Sequence, residues 1–329
     1  MSTKYILGVD VGGTNVLVGT VSEDGRAVAG VVSEPTRTTG GADAVVEQIA
    51  AMVKRSLAQA AGELGVPDLA VEGLGIGAPG PLDTERGVVI LTPNLGWRDY
   101  PLRDRVASAV GLPAVLDNDA NCAVLGETWQ GAARGASCVI GLTIGTGIGG
   151  GIVLDGRLYH GASDIAGEFG HMTIDSTGRR CNCGNYGCIE AYASGSAISA
   201  RAVEGIEAGA QTRLPELVDH DLSRITAGIV YQAAADGDDF SREVIHDTAR
   251  FLGAAVANLI NIFNPEVVVI CGGVTAAGDQ LFTPLRAEVA RRAFRAAVDA
   301  CRIVPGLLHG TAGVVGAAAV FRAKTWGPS

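Results

Sequence analysis

Lysine is nearly absent. The chain has 329 residues and only three lysines, Lys4, Lys54 and Lys324. No G-x-x-x-x-G-K-[ST] string occurs, which excludes a P-loop. So few lysines also speak against a protein-kinase core, where a lysine pairs with the phosphates. An export signal is missing too: Ile6-Leu7-Gly8-Val9-Asp10 reads as a strand, not as an apolar signal run. Two stretches lack charge, 135–154 and 303–321. Glycines with Thr143 and Thr146 interrupt the first, and Pro305 and His309 the second, so neither reads as a membrane span. A basic face is not expected either, because the net charge is −10 and the pI about 5.0. That balance argues against nucleic acid as a partner. The seven cysteines are an odd number, and without an export signal they suggest free thiols or a metal site rather than a disulfide framework. The expected location is cytoplasmic, with no membrane partner.

Glycine is abundant instead, at 47 residues, and 47% of the chain is hydrophobic. This is a globular chain with many tight turns and close backbone approaches, long enough for about two domains. Ile6–Val11, Val16–Val21 and Ala27–Val32 read as an antiparallel meander, turning at Gly12-Gly13-Thr14-Asn15 and Asp24-Gly25. A helical stripe over Ala44–Leu57 follows, then a buried strand, Leu74–Ala78, ending in Pro79-Gly80-Pro81. After it come a helix at Leu102–Val110, a strand at Ala114–Leu116 and a helix over 120–129. The first pattern then recurs. Val139-Ile140-Gly141-Leu142-Thr143-Ile144-Gly145-Thr146-Gly147 matches the first strand and turn at an offset of 133, and Asp155-Gly156-Arg157 matches Asp24-Gly25-Arg26 at 131. A period that long marks a duplicated domain rather than a solenoid. The remainder alternates helix and strand: a helix at Ser241–Phe263, a strand at Val267–Cys271, a helix at Gln280–Arg295, a strand at Ile303–Val304 and a last helix at Thr311–Lys324.

Four groups of residues carry chemistry. The two Gly-rich turns, Gly12-Gly13-Thr14-Asn15 and Gly145-Thr146-Gly147, present backbone N–H groups that suit phosphate. The second contains G-x-G-x-x-G but leads into a strand, so it is not a dinucleotide fingerprint. Asp10 beside the first turn either caps it or, through water, holds a Mg²⁺ that relieves its repulsion with phosphate. His171, Cys181, Cys183 and Cys188 fall within 18 residues in a polar, Gly-rich segment, a donor set for closed tetrahedral Zn²⁺; the alternative is a loop of free thiols. Glu168 and Glu190 bracket that loop, as plain surface acids or as acceptors for vicinal hydroxyls of a sugar. Asp117-Asn118-Asp119 opens a helix, as ordinary N-caps or as a site with a general base.

In order along the chain, Asp10-x-Gly12-Gly13-Thr14, Asp117-Asn118-Asp119-Ala120-Asn121, Gly145-x-Gly147-x-x-Gly150-Gly151, Gly167-Glu168-Phe169-Gly170-His171 and Cys181-x-Cys183-Gly184-x-x-Gly187-Cys188-x-Glu190 resemble the ROK family of the sugar kinase/Hsp70/actin superfamily. The resemblance runs from about residue 4 to 324 and is strongest to the bacterial ATP-dependent glucokinases. It implies an α/β fold, a duplicated actin-like two-domain structure with an interdomain cleft. Its smaller domain would comprise residues 1–118 with 312–329, and its larger domain, with the zinc loop, residues 119–311. Asp119 would then be the base that takes the proton from the glucose 6-hydroxyl. Gly80, Asn118, Glu168, His171 and Glu190, with Asp119, would hold the sugar. Asp10, Gly12, Gly13, Thr14, Asn15, Gly145, Thr146 and Gly147 would face ATP phosphates and Mg²⁺, and Gly272-Gly273 the adenosine. Zn²⁺ on His171, Cys181, Cys183 and Cys188 would be structural. A homodimer or homotetramer is implied. The alternative substrates are other hexoses or N-acetylhexosamines. Repressors of the family carry an N-terminal DNA-binding helical domain before the first phosphate motif; with the first strand read at about Tyr5, no such domain is expected, and a sugar-responsive regulator is the alternative of a different class.

Overall fold

A computed structural model describes residues 3–92 and 94–327. The first half opens with β1 (Lys4–Val11), β2 (Asn15–Ser22), β3 (Val28–Pro35) and α1 (Gly41–Leu64). It continues with β4 (Ala70–Ala78), β5 (Leu82–Asp83), β6 (Val88–Thr92), β7 (Trp97–Tyr100), α2 (Leu102–Val110), β8 (Ala114–Asn118) and α3 (Asp119–Gln130). The second half begins with β9 (Val139–Ile144), β10 (Ile148–Leu154) and β11 (Arg157–Leu158). Helices α4 (Glu190–Ala193), α5 (Gly195–Glu207), α6 (Leu214–Leu217), α7 (Ala227–Ala235) and α8 (Asp239–Phe263) follow. The chain ends with β12 (Val267–Cys271), α9 (Asp279–Arg292), α10 (Arg295–Ala300), β13 (Arg302–Pro305) and α11 (Ala312–Trp326). Among the described residues no helix is long and apolar enough to cross a membrane.

The repeat seen in the sequence is a repeat of topology. One sheet has the order β3-β2-β1-β4-β8 and the other β11-β10-β9-β12-β13. In the first, β2 and β3 are antiparallel additions, while β4 and β8 lie parallel to β1. In the second, β10 and β11 form the antiparallel hairpin and β12 and β13 the parallel pair. The small sheet β5-β6-β7 has no counterpart among the described residues.

Contacts divide the chain into two compact units. One is Met1–Val139, Gly151–Gly167 and Leu307–Ser329; the other is Ile140–Gly150 and Glu168–Gly306. The boundaries expected from sequence, 118/119 and 311/312, differ from this division, because α3 groups with the first unit. The reason is packing. Helix α11 is buried along most of its length, Gly313–Phe321, and it reaches β1, β4 and α3 without side chains in the way. A Cβ at Gly8 would overlap the Val314 carbonyl, one at Gly75 the Ala317 carbonyl, and one at Gly316 the Cys122 carbonyl. Val314, Ala318 and Phe321 then close a core with Ile6 and Val21. On the other face of that sheet, Val45, Ile49 and Met52 of α1 pack with Leu7, Val9, Leu74 and Ile76.

One expected helix is interrupted. The helix read as Gln280–Arg295 ends at Arg292, since Ala293 and Phe294 are extended and the Phe294 N–H donates to Asn261 Oδ1 at 3.0 Å.

Glycines of two kinds predict opposite effects. A methyl group at Gly75 has no room, so Gly75→Ala should cost about 3 kcal/mol or more in urea unfolding. Gly62 lies in α1 with nothing near its missing Cβ, so Gly62→Ala should stabilise by about 0.5–1 kcal/mol.

Candidate functional site

In the first unit, β1 and β2 are joined at Gly12-Gly13-Thr14. The Gly12 N–H donates to the Asn15 carbonyl at 2.9 Å, closing the turn. Thr36 pins it from behind, its N–H donating to the Thr14 carbonyl and its hydroxyl to the Gly12 carbonyl, both at 2.8 Å. Gly13, Thr14 and Asn15 are exposed, so this concave backbone can meet an anion. Asp10 lies just before it and faces the start of α11, where a Cβ on Gly313 would overlap its carboxylate. Gly80, at positive φ beyond β4, sits in the same unit against the Leu91 carbonyl.

Helix α3 starts at the other edge of this sheet. Asn118 is its N-cap, with Oδ1 accepting from Ala120 N at 2.9 Å and Asn121 N at 3.1 Å. The capping role considered from sequence is therefore met by Asn118. Asp119 is the first helical residue, half-buried, and its Oδ1 accepts from Ala120 N at 2.8 Å. Asp117 is fully buried. Its Oδ1 accepts from Asn118 N and Asn121 Nδ2, and its Oδ2 lies 2.8 Å from His160 Nε2. That His160 pairing was not read from sequence.

Burial, and secondarily the Asp119 carboxylate, push Asp10 up to about 7 from the usual 3.8. The two acids thus crowd each other in a partly desolvated place, which suits a cation between Asp10 and an incoming phosphate.

In the second unit the turn Gly145-Thr146-Gly147 is closed by a 3.0 Å bond from Gly145 N to the Gly147 carbonyl. Glu190, first residue of α4, fastens it: Oε2 accepts from Ile148 N at 2.9 Å, and a Cβ on Gly147 would lie 2.6 Å from that oxygen. A cavity of about 420 Å³ adjoins the turn, lined by Gly145, Thr146 and Gly273 together with Ser196, Thr226 and Tyr231. Gly272 abuts the Ile144 carbonyl beside it. Three of these lining residues were missed in the sequence. Their signal was Ser194 and Thr226 as N-caps of α5 and α7, so two helix N-termini border the cavity. The Tyr231 hydroxyl is buried and has no hydrogen-bond partner among the described residues. An orphaned donor in this wall fits a polar ligand atom.

The Cys-rich segment folds back on itself through Cys181 N donating to the Asn185 carbonyl at 2.8 Å and through bridges at Thr173–Cys188 and Arg180–Tyr186. His171 ends a 3₁₀ turn, Phe169–His171, that Glu168 precedes, so Glu168 and His171 share one short turn and both are exposed. The ligand atoms of His171, Cys181, Cys183 and Cys188 all lie within 4.8 Å of one another. Cys183 Sγ and Cys188 Sγ are 3.7 Å apart, and Cys181 Sγ is 3.9 Å from His171 Nδ1. Donors about 2.3 Å from a tetrahedral ion stand about 3.7 Å from each other, so the set fits one metal. Burial pushes the Cys181 thiol up to about 12 and raises Cys188, whereas the Asn185 N–H holds Cys183 low. Two buried thiols that resist ionisation are what a divalent cation reverses.

The chain matches the ROK family over residues 6–324. It belongs to the ROK family. It is 38% identical over 96% of its length to a glucokinase of Halalkalibacterium halodurans, 94% of which is covered. A ROK family glucokinase from Streptomyces griseus, solved with glucose and AMPPNP, superposes with a TM-score of 0.81 at 35% identity, covering 96% of this chain and 98% of that one. A ROK family transcriptional regulator, a homologue of the E. coli MLC protein, gives 0.83 at 28% identity over 97% of this chain and 78% of the regulator. The fold is thus the actin-like two-domain fold of ROK sugar kinases, as the motifs and the duplication implied.

The Asp10 environment has a consequence for stability. A carboxyl that titrates near 7 in the folded chain and near 3.8 when unfolded lends stability below pH 3.8 that is lost as pH rises through about 7. Asp10→Asn should therefore melt higher than the unsubstituted protein at pH 8, by about 5 °C or more. The difference should shrink toward zero near pH 4, measured without nucleotide or metal.

Proposed function

We propose that this ROK protein is an ATP-dependent glucokinase, transferring the terminal phosphoryl group of Mg-ATP to the 6-hydroxyl of glucose. The observation that carries the reading is the near full-length likeness to glucokinases together with an Asp119 close enough to Asp10, within one unit, for its charge to raise the cost of ionising Asp10. Phosphoryl transfer asks mainly for positioning and charge neutralisation. The two Gly-rich turns offer backbone donors for the phosphates, which fits a chain with three lysines. Asp10 would hold Mg²⁺ through water, and when bound that ion neutralises phosphate charge. The nucleoside would occupy the cavity beside Gly145 and Gly273. Asp119 would accept the proton of the 6-hydroxyl. Asn118, Gly80, Glu168, His171 and Glu190 would hold the sugar. Asn118 Oδ1 is committed to the cap and Glu190 Oε2 to Ile148 N, which directs their sugar contacts to Nδ2 and Oε1.

His171 has two ring nitrogens, and Nδ1 is the one beside Cys181 Sγ. Zn²⁺ there would fix the tautomer and leave Nε2 for a sugar hydroxyl. The ion would be structural, since all four donors come from the protein. A homodimer or homotetramer in the cytoplasm completes the reading. The likeness to a regulator favours a second function, sugar-responsive control of transcription, but an acidic chain of net charge −10 is poorly suited to DNA.

A coupled ATP-to-ADP assay over hexoses, N-acetylhexosamines and xylose, with polyphosphate as alternative donor, tests the substrate; turnover with glucose is expected to lead, and no turnover with any sugar would reject the kinase. Asp119→Ala should lower kcat by about 10²–10⁴-fold with glucose still bound. Near-normal kcat would remove Asp119 as base. Cys183→Ala should lose zinc, by elemental analysis, and at least about tenfold in glucose affinity. A zinc-free variant that binds glucose normally would separate the two.

A further inference from the structure

The first unit contains a second cavity that the proposed reaction does not use. It measures about 560 Å³ and lies against α3, the β10–β11 turn and α11. In a chain of net charge −10 its lining is cationic: Arg134, Arg157, Arg322, Lys324 and His160, with Asp117 the single acid. Asp117 is fully buried at its floor. Arg134 and Arg157 are exposed, and among the described residues their guanidinium groups pair with no acid and no hydrogen-bond acceptor. Arg322 is engaged, donating to the Glu23 carbonyl at 3.2 Å and lying 5.6 Å from the Trp129 ring. The opposite wall is apolar, formed by Trp129, Leu158 and Val320. A volume of about 300–1,000 Å³ with an apolar wall and a few convergent polar groups is the usual make-up of a small-molecule site. Two free guanidinium groups beside a lysine suit a planar or tetrahedral dianion.

The floor of the cavity touches α3 directly. Asp117 Oδ2 is 2.8 Å from His160 Nε2 and 3.9 Å from Lys324 Nζ. Its other oxygen accepts from Asn118 N and from Asn121 Nδ2, which are residues of the α3 cap and first turn. The hydrogen bond to Asp117 keeps His160 more basic than an ordinary histidine, so the ring adds to the positive field.

We propose that this cavity is a binding site for a small phosphomonoester, with its phosphate on Arg134 and Arg157 and its organic body against Trp129 and Leu158. Occupancy is felt at the first turn of α3, because a dianion draws Lys324 and His160 away from Asp117. Neither statement depends on the kinase reading, and both are tested without turnover.

The probes are p-nitrophenyl phosphate, inorganic phosphate and uncharged 4-nitroanisole, titrated calorimetrically into the wild-type chain and into Arg134→Ala/Arg157→Ala. The ester should bind best and 4-nitroanisole not at all. The double variant should lose at least about tenfold in ester affinity, the worth of one charge-assisted hydrogen bond. No ester binding up to about 10 mM, or equal binding by the double variant, would overturn the site. Hydrogen exchange of residues 118–121 reads the coupling. The ester should change it in the wild-type chain, and His160→Gln should abolish the change at ester concentrations that saturate the variant. Unchanged exchange in the ester-bound wild type would overturn the coupling.

Discussion

The contact on which the first unit depends is the seating of α11 against β1, β4 and α3. Gly8, Gly75 and Gly316 let backbone meet backbone there, so the helix axis is fixed by carbonyl positions rather than by adaptable side chains. Two things follow. The start of α11 is delivered to Asp10, and the length of α3 beyond its cap is held by Cys122 and Gly126 against the same helix. Asp10 and Asp119 come from β1 and from the residue after β8, at separate ends of the fold's chain order. They become neighbours because β4 pairs in parallel with both β1 and β8, so that Gly77 lies opposite Asp10 on one side and Asp117 on the other, and α11 packs against the same elements. The high glycine content is thus partly explained by close packing and only partly by turns.

That clamp also explains why Asp10 is poorly solvated, since α11 begins against its carboxylate. The turn beside Asp10 supplies backbone dipoles and no cationic side chain, and burial leaves the carboxylate reluctant to ionise. Such a site is weakly stable when empty and becomes favourable when a cation and an anion arrive together. With the cation-holding role proposed for Asp10, function and stability would pull in opposite directions there, a pattern common where charge is buried for chemistry.

Much of this was legible in the sequence, and the limits have physical causes. The meander, the duplication and strands such as Val267–Cys271 were readable because apolar runs and Asp-Gly or Gly-Gly turns are local signals. The Cys₃His donors were readable because a metal needs its ligands close, and a loop can hold them close in sequence. The strands β5, β6 and β7 were not read, being as short as two residues. The break after Arg292 was missed because Ala293 and Phe294 carry no breaker; an asparagine 33 residues earlier holds the extended backbone. His160 with Asp117, and Arg134 with Lys324, are far apart in the chain and come together only in the folded unit, the first pair in direct contact and the second as walls of one cavity. No local pattern encodes them.

Glu190 shows how one residue can join parts that sequence treats separately. It closes the Cys-x-x-x-x-Cys-x-Glu string, opens α4, and holds the glycine turn by Ile148 N. Its second oxygen lies 3.7 Å from Cys181 Sγ. A shift of Cys181 therefore moves the carboxylate that fixes Ile148, and so moves the turn between Gly145 and Gly147. The Cys-rich loop is accordingly coupled to the backbone donors of the turn as well as to Glu168 and His171. In the proposed kinase, order in that loop would bear on anion binding and hydroxyl binding through the same carboxylate, which gives the loop a second role beside support of the histidine.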